Sequence, residues 1–368
     1  MMKQITTMKK QITTAILLAL AAGTALAQVP QGYPADYQKL VDAAKKEGKL
    51  VVYGATDSKA TQPLIRDFSA LYPGISVEYN DMNSTEVYNR FISERAAGGN
   101  TADVMWSSSM DLQLKLAAEG SALQYKSVEA AQLPAWAVWE HKAYGTTFEP
   151  AAIVYNKRLL AANEVPQTHD DFARLIQQPK FRDKVTTYDI EKSGVGFMFM
   201  TRDAAAYPKF AELQQAFGVA KVRVQSSTGT MMERISSGEN LIGYNVLGSY
   251  ALVRAKTDPS IGVVLPKDYT QIMSRVVFIN KSAKNVNAAK LWLDYMLSKR
   301  GQTIIANESK LYAIRADVTG ETTSADLVKT IGQANVKPIP VNPSVLDYLA
   351  PAKRMAFLKG WKETAGKK

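Results

Sequence analysis

The chain has 368 residues, 46% hydrophobic and 21% charged, which excludes wholesale disorder and supports one large or two medium globular domains. It contains no cysteine, so disulfide frameworks, thiolate metal sites and cysteine nucleophiles are excluded. The formal charge of +11 favours anionic ligands or surfaces, but the Lys and Arg residues are scattered rather than clustered with aromatics along one groove, which argues against nucleic acid as a partner.

At the N-terminus, Lys3, Lys9 and Lys10 precede the apolar run ITTAILLALAAGTALA, and Ala25 and Ala27 flank Leu26 just before Gln28. This is the pattern of a secretory signal peptide over residues 1–27, too short and too rich in small residues to span a bilayer. Its removal takes three lysines and leaves a charge of +8. The expected product is soluble and exported, with no cysteine to carry a lipid anchor.

Short apolar runs then alternate with amphipathic helical ones, the grammar of an α/β fold. LVVY (50–53) leads to a helix in TQPLIRDFSALY, where Leu64, Ile65, Phe68, Leu71 and Tyr72 repeat at helical spacing and Pro73–Gly74 ends the run. ISVEY (75–79) is a second strand and STEVYNRFISERAAG a second helix, with Ser84 or Thr85 as its cap. ADVMW (102–106) is a third strand, followed by three serines and the helix DLQLKLAAEG. After the extended AYGTTFEPAAIVYNK (143–157), uncharged around Thr146 and Thr147, the pattern repeats. KVTTYD (184–189) runs through EKSGVG to FMFM, KVRVQ (221–225) through SSTG to MMERISSG, and LIGYN (241–245) through VLGS to YALVRAK. A second connection, SIGVVLPKDYTQIMSRVVFIN (260–280), returns the chain to strand, and from Val286 onward the pattern is helical.

Small hydroxylated turns after buried strands have a physical reading. In open α/β sheets ligands lie beyond the carboxyl ends of the strands, where helix N-termini present free N–H groups and positive dipole ends. One such turn is ordinary helix capping. Recurrence in both halves, at Thr56-Asp57-Ser58, Ser107-Ser108-Ser109, Ser193-Gly194 and Ser226-Ser227-Thr228-Gly229, points to a two-sided anion clamp. Arg275 is expected to reach a carboxylate or phosphate from the second connection. Trp136 and Trp139 either wall the cleft or pack ahead of the hinge.

LVVYGATDS, ADVMWSSSMD, AYGTTFEPAAIVYNK and FINKSAKNVNAAKLWLDYMLSKRGQ together resemble the periplasmic substrate-binding proteins of ABC importers, in the group of the ferric-ion-binding proteins and their sugar-phosphate, phosphonate and thiamine-binding relatives. The likeness covers nearly the whole chain after the signal. It implies a type II two-lobed fold, each lobe a mostly parallel sheet flanked by helices and joined by crossing hinge strands. The implied division is 28–147 plus 274–330 for the first lobe, 148–273 for the second, and a C-terminal helical segment at 331–368. It also implies a monomer that closes near Thr147 and Ser274 over a small solute and delivers it to an inner-membrane permease. The resemblance of their segments brings Thr147, Glu149, Tyr244 and Tyr250 into the candidate ligand set. A membrane sensor kinase is a further partner open to this fold.

Iron-gripping members carry a histidine in the first turn and an adjacent tyrosine pair. Here Asp57 stands in that turn and Tyr244 and Tyr250 are apart, so the departure favours a phosphonate, sugar phosphate or carboxylate over ferric ion, with no metal or other cofactor. The Ser226–Gly229 turn resembles the anion-binding turn of the phosphate-ester and phosphonate binders. Thr228 and Gly229 N–H groups would face the anion, and Asp57 or Glu149 would meet an amino or hydroxyl group at the solute's other end. Catalysis has little support. His141 and His169 are the only histidines, and no His-Glu-x-x-His, Gly-x-Ser-x-Gly or Walker pattern is present. A phosphate-ester hydrolase is the alternative from another class, but a serine-rich turn supplies no base. Met231 and Met232 read as core, and Arg234 as solvent-facing.

Overall fold

A computed structural model describes residues 29–30, 32–99 and 101–365; the signal segment read at 1–27 lies outside these. The chain enters through helix α1 (Tyr37–Glu47) and builds a parallel β1 (Lys49–Gly54), β2 (Ser76–Asp81) and β3 (Val104–Ser107), joined by α2 (Ser58–Leu71) and α3 (Ser84–Ala96). After α4 (Met110–Leu116) come the short strands β4 (Val138–Trp139) and β5 (Ala143–Gly145). The first sheet has the order β2-β1-β3-β12-β5-β4, with β12 (Val276–Ile279) returning from the second half.

The second sheet runs β13-β11-β6-β9-β7-β8, and β10 (Ile261–Val264) pairs along the same edge of β6 as β11. Its strands are β6 (Glu149–Asn156), β7 (Val185–Tyr188), β8 (Arg223–Gln225), β9 (Ile242–Leu247), β11 (Thr270–Met273) and β13 (Val336–Pro338). Around it lie α5 (His169–Leu175), α6 (Gly194–Ala206), α7 (Phe210–Val219), α8 (Thr228–Ser236) and α9 (Gly248–Thr257). Parallel pairing survives in β2-β1-β3 and β9-β7-β8, while β12 and β6, each entered from a connection between the sheets, pair antiparallel with their neighbours. Each sheet is therefore mixed, parallel where strands are joined through helices and antiparallel around β12 and β6.

Two connections pass between the sheets. Thr146, Thr147 and Phe148 link β5 to β6, and Ser274 and Arg275 link β11 to β12. They lie against each other. Thr146 N–H donates to Arg275 O at 3.0 Å, Thr147 N–H to Ser274 Oγ at 3.1 Å, and Arg275 N–H to Thr147 Oγ1 at 2.9 Å.

Core packing follows the apolar patterns. Leu64 and Phe68 of α2 are buried, with Phe68 edge-on to Trp292 at 5.0 Å. Trp292 belongs to α10 (Val286–Leu297), which precedes α11 (Lys299–Asn307). A second cluster joins Tyr53, Phe91 and Met105 of the first sheet's side to Met198, Met231 and Val246 of the second, so apolar packing continues between the lobes. Asn83, rather than Ser84 or Thr85, caps α3. Its Oδ1 accepts from Thr85 and Glu86 N–H at 3.0 and 2.9 Å while Glu86 accepts from Asn83 N–H, forming a capping box. The C-terminal stretch is helical in α12 (Ser324–Ile331) and α13 (Pro351–Thr364). Between them β13 joins the second sheet beside β11, so the segment read as wholly helical from residue 331 contains a strand.

Candidate functional site

A cleft of about 230 Å³ lies where the two sheets face each other, bounded by Asp57, Asp81, Ser84 and Ser108 on one side and Tyr188, Ser193, Ser226, Ser227, Thr228, Gly229 and Tyr250 on the other. Its position follows from the chain's grammar: α2, α3, α6, α8 and α9 all begin at it. Their N-cap residues Asp57, Asn83, Ser193, Ser227 and Leu247 each line the cavity. The first N–H groups of a helix have no intrahelical acceptor, and the dipoles place their positive ends here. Ser193 Oγ accepts from Gly196 N–H at 3.2 Å and Ser227 Oγ from Thr230 N–H at 3.1 Å. The N–H groups of Thr228 and Gly229, first and second in α8, are left for another acceptor.

Other expected residues fall beside the cleft rather than in it. Ser58 donates its N–H and Oγ to Asp81 Oδ2 at 2.7 and 2.9 Å. Ser107 is buried and accepts from Ser109 N–H, and Ser109 donates to Asp111 Oδ1 at 2.7 Å. Gly194 packs against Ser109: a Cβ there would fall 2.6 Å from Ser109 Oγ. This pair is a lobe-to-lobe contact and neither residue lines the cavity. Tyr244 is buried in the second lobe among Phe172, Phe217 and His169, and donates its hydroxyl to Asp203 Oδ2 at 2.9 Å. It does not line the cavity.

Arg275 and Glu149 are corrected most clearly. Both are fully buried and bind each other: Nε donates to Oε1 at 2.8 Å and Nη2 to Oε2 at 3.1 Å. Arg275 Nη1 donates to Ala55 O and Thr56 Oγ1, each at 3.0 Å, which accounts for Thr56. Thr147 Oγ1 donates to Glu149 Oε1 at 2.7 Å and Ser249 Oγ to Oε2. Burial works against the Arg275 charge, but Glu149 outweighs it and holds the guanidinium above its ordinary pKa. This group ties the two connections together behind the cleft, with four of the five guanidinium N–H groups engaged inside the protein.

Sequence reasoning missed Asp81, Asn83, Ser84 and Tyr188. The first three stand at the carboxyl end of β2, where the strand-end rule applies equally. Tyr188 ends β7 and bonds Thr228 Oγ1 through its hydroxyl. Burial raises the Tyr188 and Tyr250 phenols above their ordinary pKa. Asp57 is also raised, first by desolvation beside the cleft wall, with Arg275 opposing and Asp81 adding to the rise. Trp136 packs on Phe148 at 5.9 Å, His169 pairs with Asp268 at 2.8 Å, Met231 and Met232 are core, and Arg234 meets Glu239 at 2.6 Å.

Across the cleft, Asp57 N–H donates to Tyr250 OH and Val195 N–H to Ser84 Oγ, each at 3.2 Å. Two sheets, paired crossing connections and a polar cleft ringed by helix N-termini define a two-lobed binding protein. The chain belongs to the bacterial extracellular solute-binding protein family, whose sequence pattern matches residues 54–303. It is 39% identical to the substrate-binding protein of an ABC transporter from Agrobacterium tumefaciens, with a TM-score of 0.82 over 86% of this chain and 94% of that one. It shares its fold with AfuA of Actinobacillus pleuropneumoniae bound to fructose-6-phosphate (20% identity, TM-score 0.71, 87% and 99% covered). It shares it too with iron-bound HitA of Pseudomonas aeruginosa (16% identity, TM-score 0.68, 86% and 99% covered). Among the described residues no helix is long and apolar enough to cross a membrane.

Proposed function

We propose that this chain is the exported, periplasmic solute-binding component of an ABC importer and that its cargo is a small organic anion: a phosphonate, sugar phosphate or carboxylate. The observation that carries the reading is the convergence of five helix starts on one cleft, with the Thr228 and Gly229 N–H groups beside the Ser226 and Ser227 hydroxyls. Small side chains there let an anion approach the backbone closely. The protein binds rather than reacts: neither histidine lines the cleft, and the family it belongs to is one of solute-binding proteins. Its partner is then a membrane permease that accepts the closed, loaded form.

Ferric ion is a second reading, favoured by the oxygen donors Asp57, Asp81, Tyr188 and Tyr250 around one cavity. A thermal-shift screen tests the first. Phosphonates, sugar phosphates or carboxylates should stabilise the protein, by about 2.7 kcal/mol at a hundredfold excess over the dissociation constant. Stabilisation by neutral sugars with indifference to every anion would overturn it.

A further inference from the structure

Strand β9 breaks its own alternation just before it reaches the cleft. In a regular strand, residues an even number of positions apart share a face. Ile242 and Tyr244 do so, packing into the second lobe's own core with Phe172 and Phe217. Val246 does not: it joins the cluster shared between the lobes, with Leu247 and Ala251. A Cβ on Gly243 would lie 3.2 Å from Val246 Cγ2, so these two, an odd number apart, stand together. The cause is a bulge. Against β6 the pairs run Tyr155 with Ile242 and Val154 with Gly243, then Ala152 with Val246 and Ala151 with Leu247, which leaves Tyr244 and Asn245 together opposite Ile153. Asn245 absorbs the extra residue in the left-handed region, at a φ of 57°. That conformation is costly for a residue with a side chain unless its surroundings hold it.

Asp203 holds it. This residue of α6 is fully buried and receives four uncharged donors: Asn245 Nδ2 at 2.7 Å and Tyr244 OH at 2.9 Å on Oδ2, with Tyr269 OH at 2.7 Å and Gln271 Nε2 on Oδ1. One carboxylate thereby fastens both bulge residues to α6 and to β11, just ahead of the connection at Ser274. Past the bulge, Leu247 caps α9 and Tyr250 turns into the cleft. There the Tyr250 hydroxyl accepts from Asp57 N–H at 3.2 Å, and its ring centre lies 5.3 Å from the Arg275 guanidinium. A slip of β9 by one residue would turn Leu247 and the start of α9 away from this wall.

We propose that Asp203, which does not line the cleft, is a positioning residue for solute capture: its bond to Asn245 fixes the bulge, and the bulge delivers Leu247, the start of α9 and Tyr250 to the cleft wall. This rests on the cleft being the solute site and not on the solute's charge.

The reporter is the Asp57 amide, whose bond to Tyr250 OH requires α9 to be in place. Its NMR chemical shift in the solute-free protein is compared with that in Tyr250→Phe, where the acceptor is gone. Asn245→Gly still favours the left-handed backbone but cuts the tie to Asp203. It should move the Asp57 resonance most of the way to its Tyr250→Phe position. Asp203→Asn should do the same, and combining the two should add nothing further, because both act on one bond. Tyr269→Phe is the control: it takes another donor from the same carboxylate, so it should lower the melting temperature and leave the Asp57 resonance where it is. An unmoved resonance in Asn245→Gly would overturn the proposal, whether or not Asp203→Asn folds. An equal displacement in Tyr269→Phe would do so too, making Asp203 an ordinary core residue. In calorimetry with ethyl phosphate, Asn245→Gly should bind roughly tenfold more weakly and Tyr269→Phe as the parent does. Parent-like affinity in Asn245→Gly would remove the role in capture. Were ethyl phosphate not to bind the parent, that result would count against the anion reading alone, since the amide readout needs no solute.

Discussion

The guanidinium of Arg275 and the carboxylate of Glu149 face each other in a two-point pair, 2.8 and 3.1 Å, with neither side chain reaching solvent. Arg275 lies in one connection between the lobes, and Glu149 opens the strand that follows the other. The pair therefore ties the two connections between the lobes to each other, and its bonds to Ala55 and Thr56 extend it to the end of β1. Arg275→Ala would leave a buried carboxylate unpaired, at a cost of about 3–5 kcal/mol in urea unfolding. Replacing both partners, as Arg275→Met with Glu149→Met, should recover much of that loss, because no unpaired charge remains. A double variant no more stable than Arg275→Ala would show that the unpaired charge is not the source of the cost.

The Ser226–Gly229 turn makes a separable prediction. A Cβ on Gly229 would meet only Ser227 Oγ, at 3.8 Å, so Gly229→Asp fits the fold while placing a carboxylate where the anion belongs. It should abolish binding of the most strongly stabilising anion from the screen and leave the ligand-free melting temperature nearly unchanged. Ser227→Ala removes both the cap and a cleft hydroxyl. It should lower stability by about 1 kcal/mol and affinity roughly tenfold or more. Unchanged affinity in both variants, read by calorimetry, would move the site away from this turn.

Ferric citrate should leave the protein colourless. Among the described residues only Tyr188 and Tyr250 supply phenols to the cavity, and burial makes both harder to ionise. A visible tyrosinate-to-iron band that disappears in Tyr188→Phe or Tyr250→Phe would replace the organic anion with iron.

Much of this architecture is legible in the sequence because an apolar strand followed by a small polar turn and an amphipathic helix is a local pattern. The same locality sets the limit. Asn83, Ser84 and Thr85 are three cap-capable residues in a row, and only the backbone shows that Asn83 accepts from the helix N–H groups. Tyr244 and Tyr250 look equivalent in YNVLGSY. Which of them faces the cleft depends on Phe172 and Phe217, distant residues that enclose Tyr244. Arg275 and Glu149 are 126 positions apart, so nothing local reveals that they neutralise each other. In β13, Val336-Lys337-Pro338 carries no alternation, and its pairing with β11 alone makes it a strand.

Asp111 predicts a pH dependence. It is buried beside the lobe contact, and desolvation pushes its pKa up to about 6 despite hydrogen bonds from Ser109 Oγ and Leu112 N–H. The folded state thus holds this proton more tightly than the unfolded chain. Its contribution is fully present below the unfolded pKa and is lost as pH rises through about 6. The loss is on the order of 3 kcal/mol. Asp111→Asn keeps both acceptor bonds without the charge. Melting curves from pH 4 to 8 should therefore show the variant gaining on the parent as pH rises, and parallel curves would refute the assignment.

Gly194 offers a test of closure itself. At the start of α6 its missing side chain lets the second lobe approach the first: a Cβ would lie 2.6 Å from Ser109 Oγ and 2.9 Å from Leu112 Cδ1. Ser109 cannot readily yield, because its hydroxyl is held by Asp111 in a buried pocket. Next along α6, Val195 N–H reaches Ser84 Oγ across the cleft, so a wedge at 194 also pulls this bond apart. Gly194→Val should hold the lobes open while each sheet and its helices stay folded. The expected signs are a larger radius of gyration in small-angle scattering with solute present, and a lower affinity caused mainly by faster release, since donors from only one lobe then hold the solute. Gly229→Asp serves as the control, losing affinity without the wedge. If Gly194→Val matches the parent in both radius and affinity, the contact between Gly194 and Ser109 plays no part in capture, and closure must depend on the cleft-spanning bonds alone.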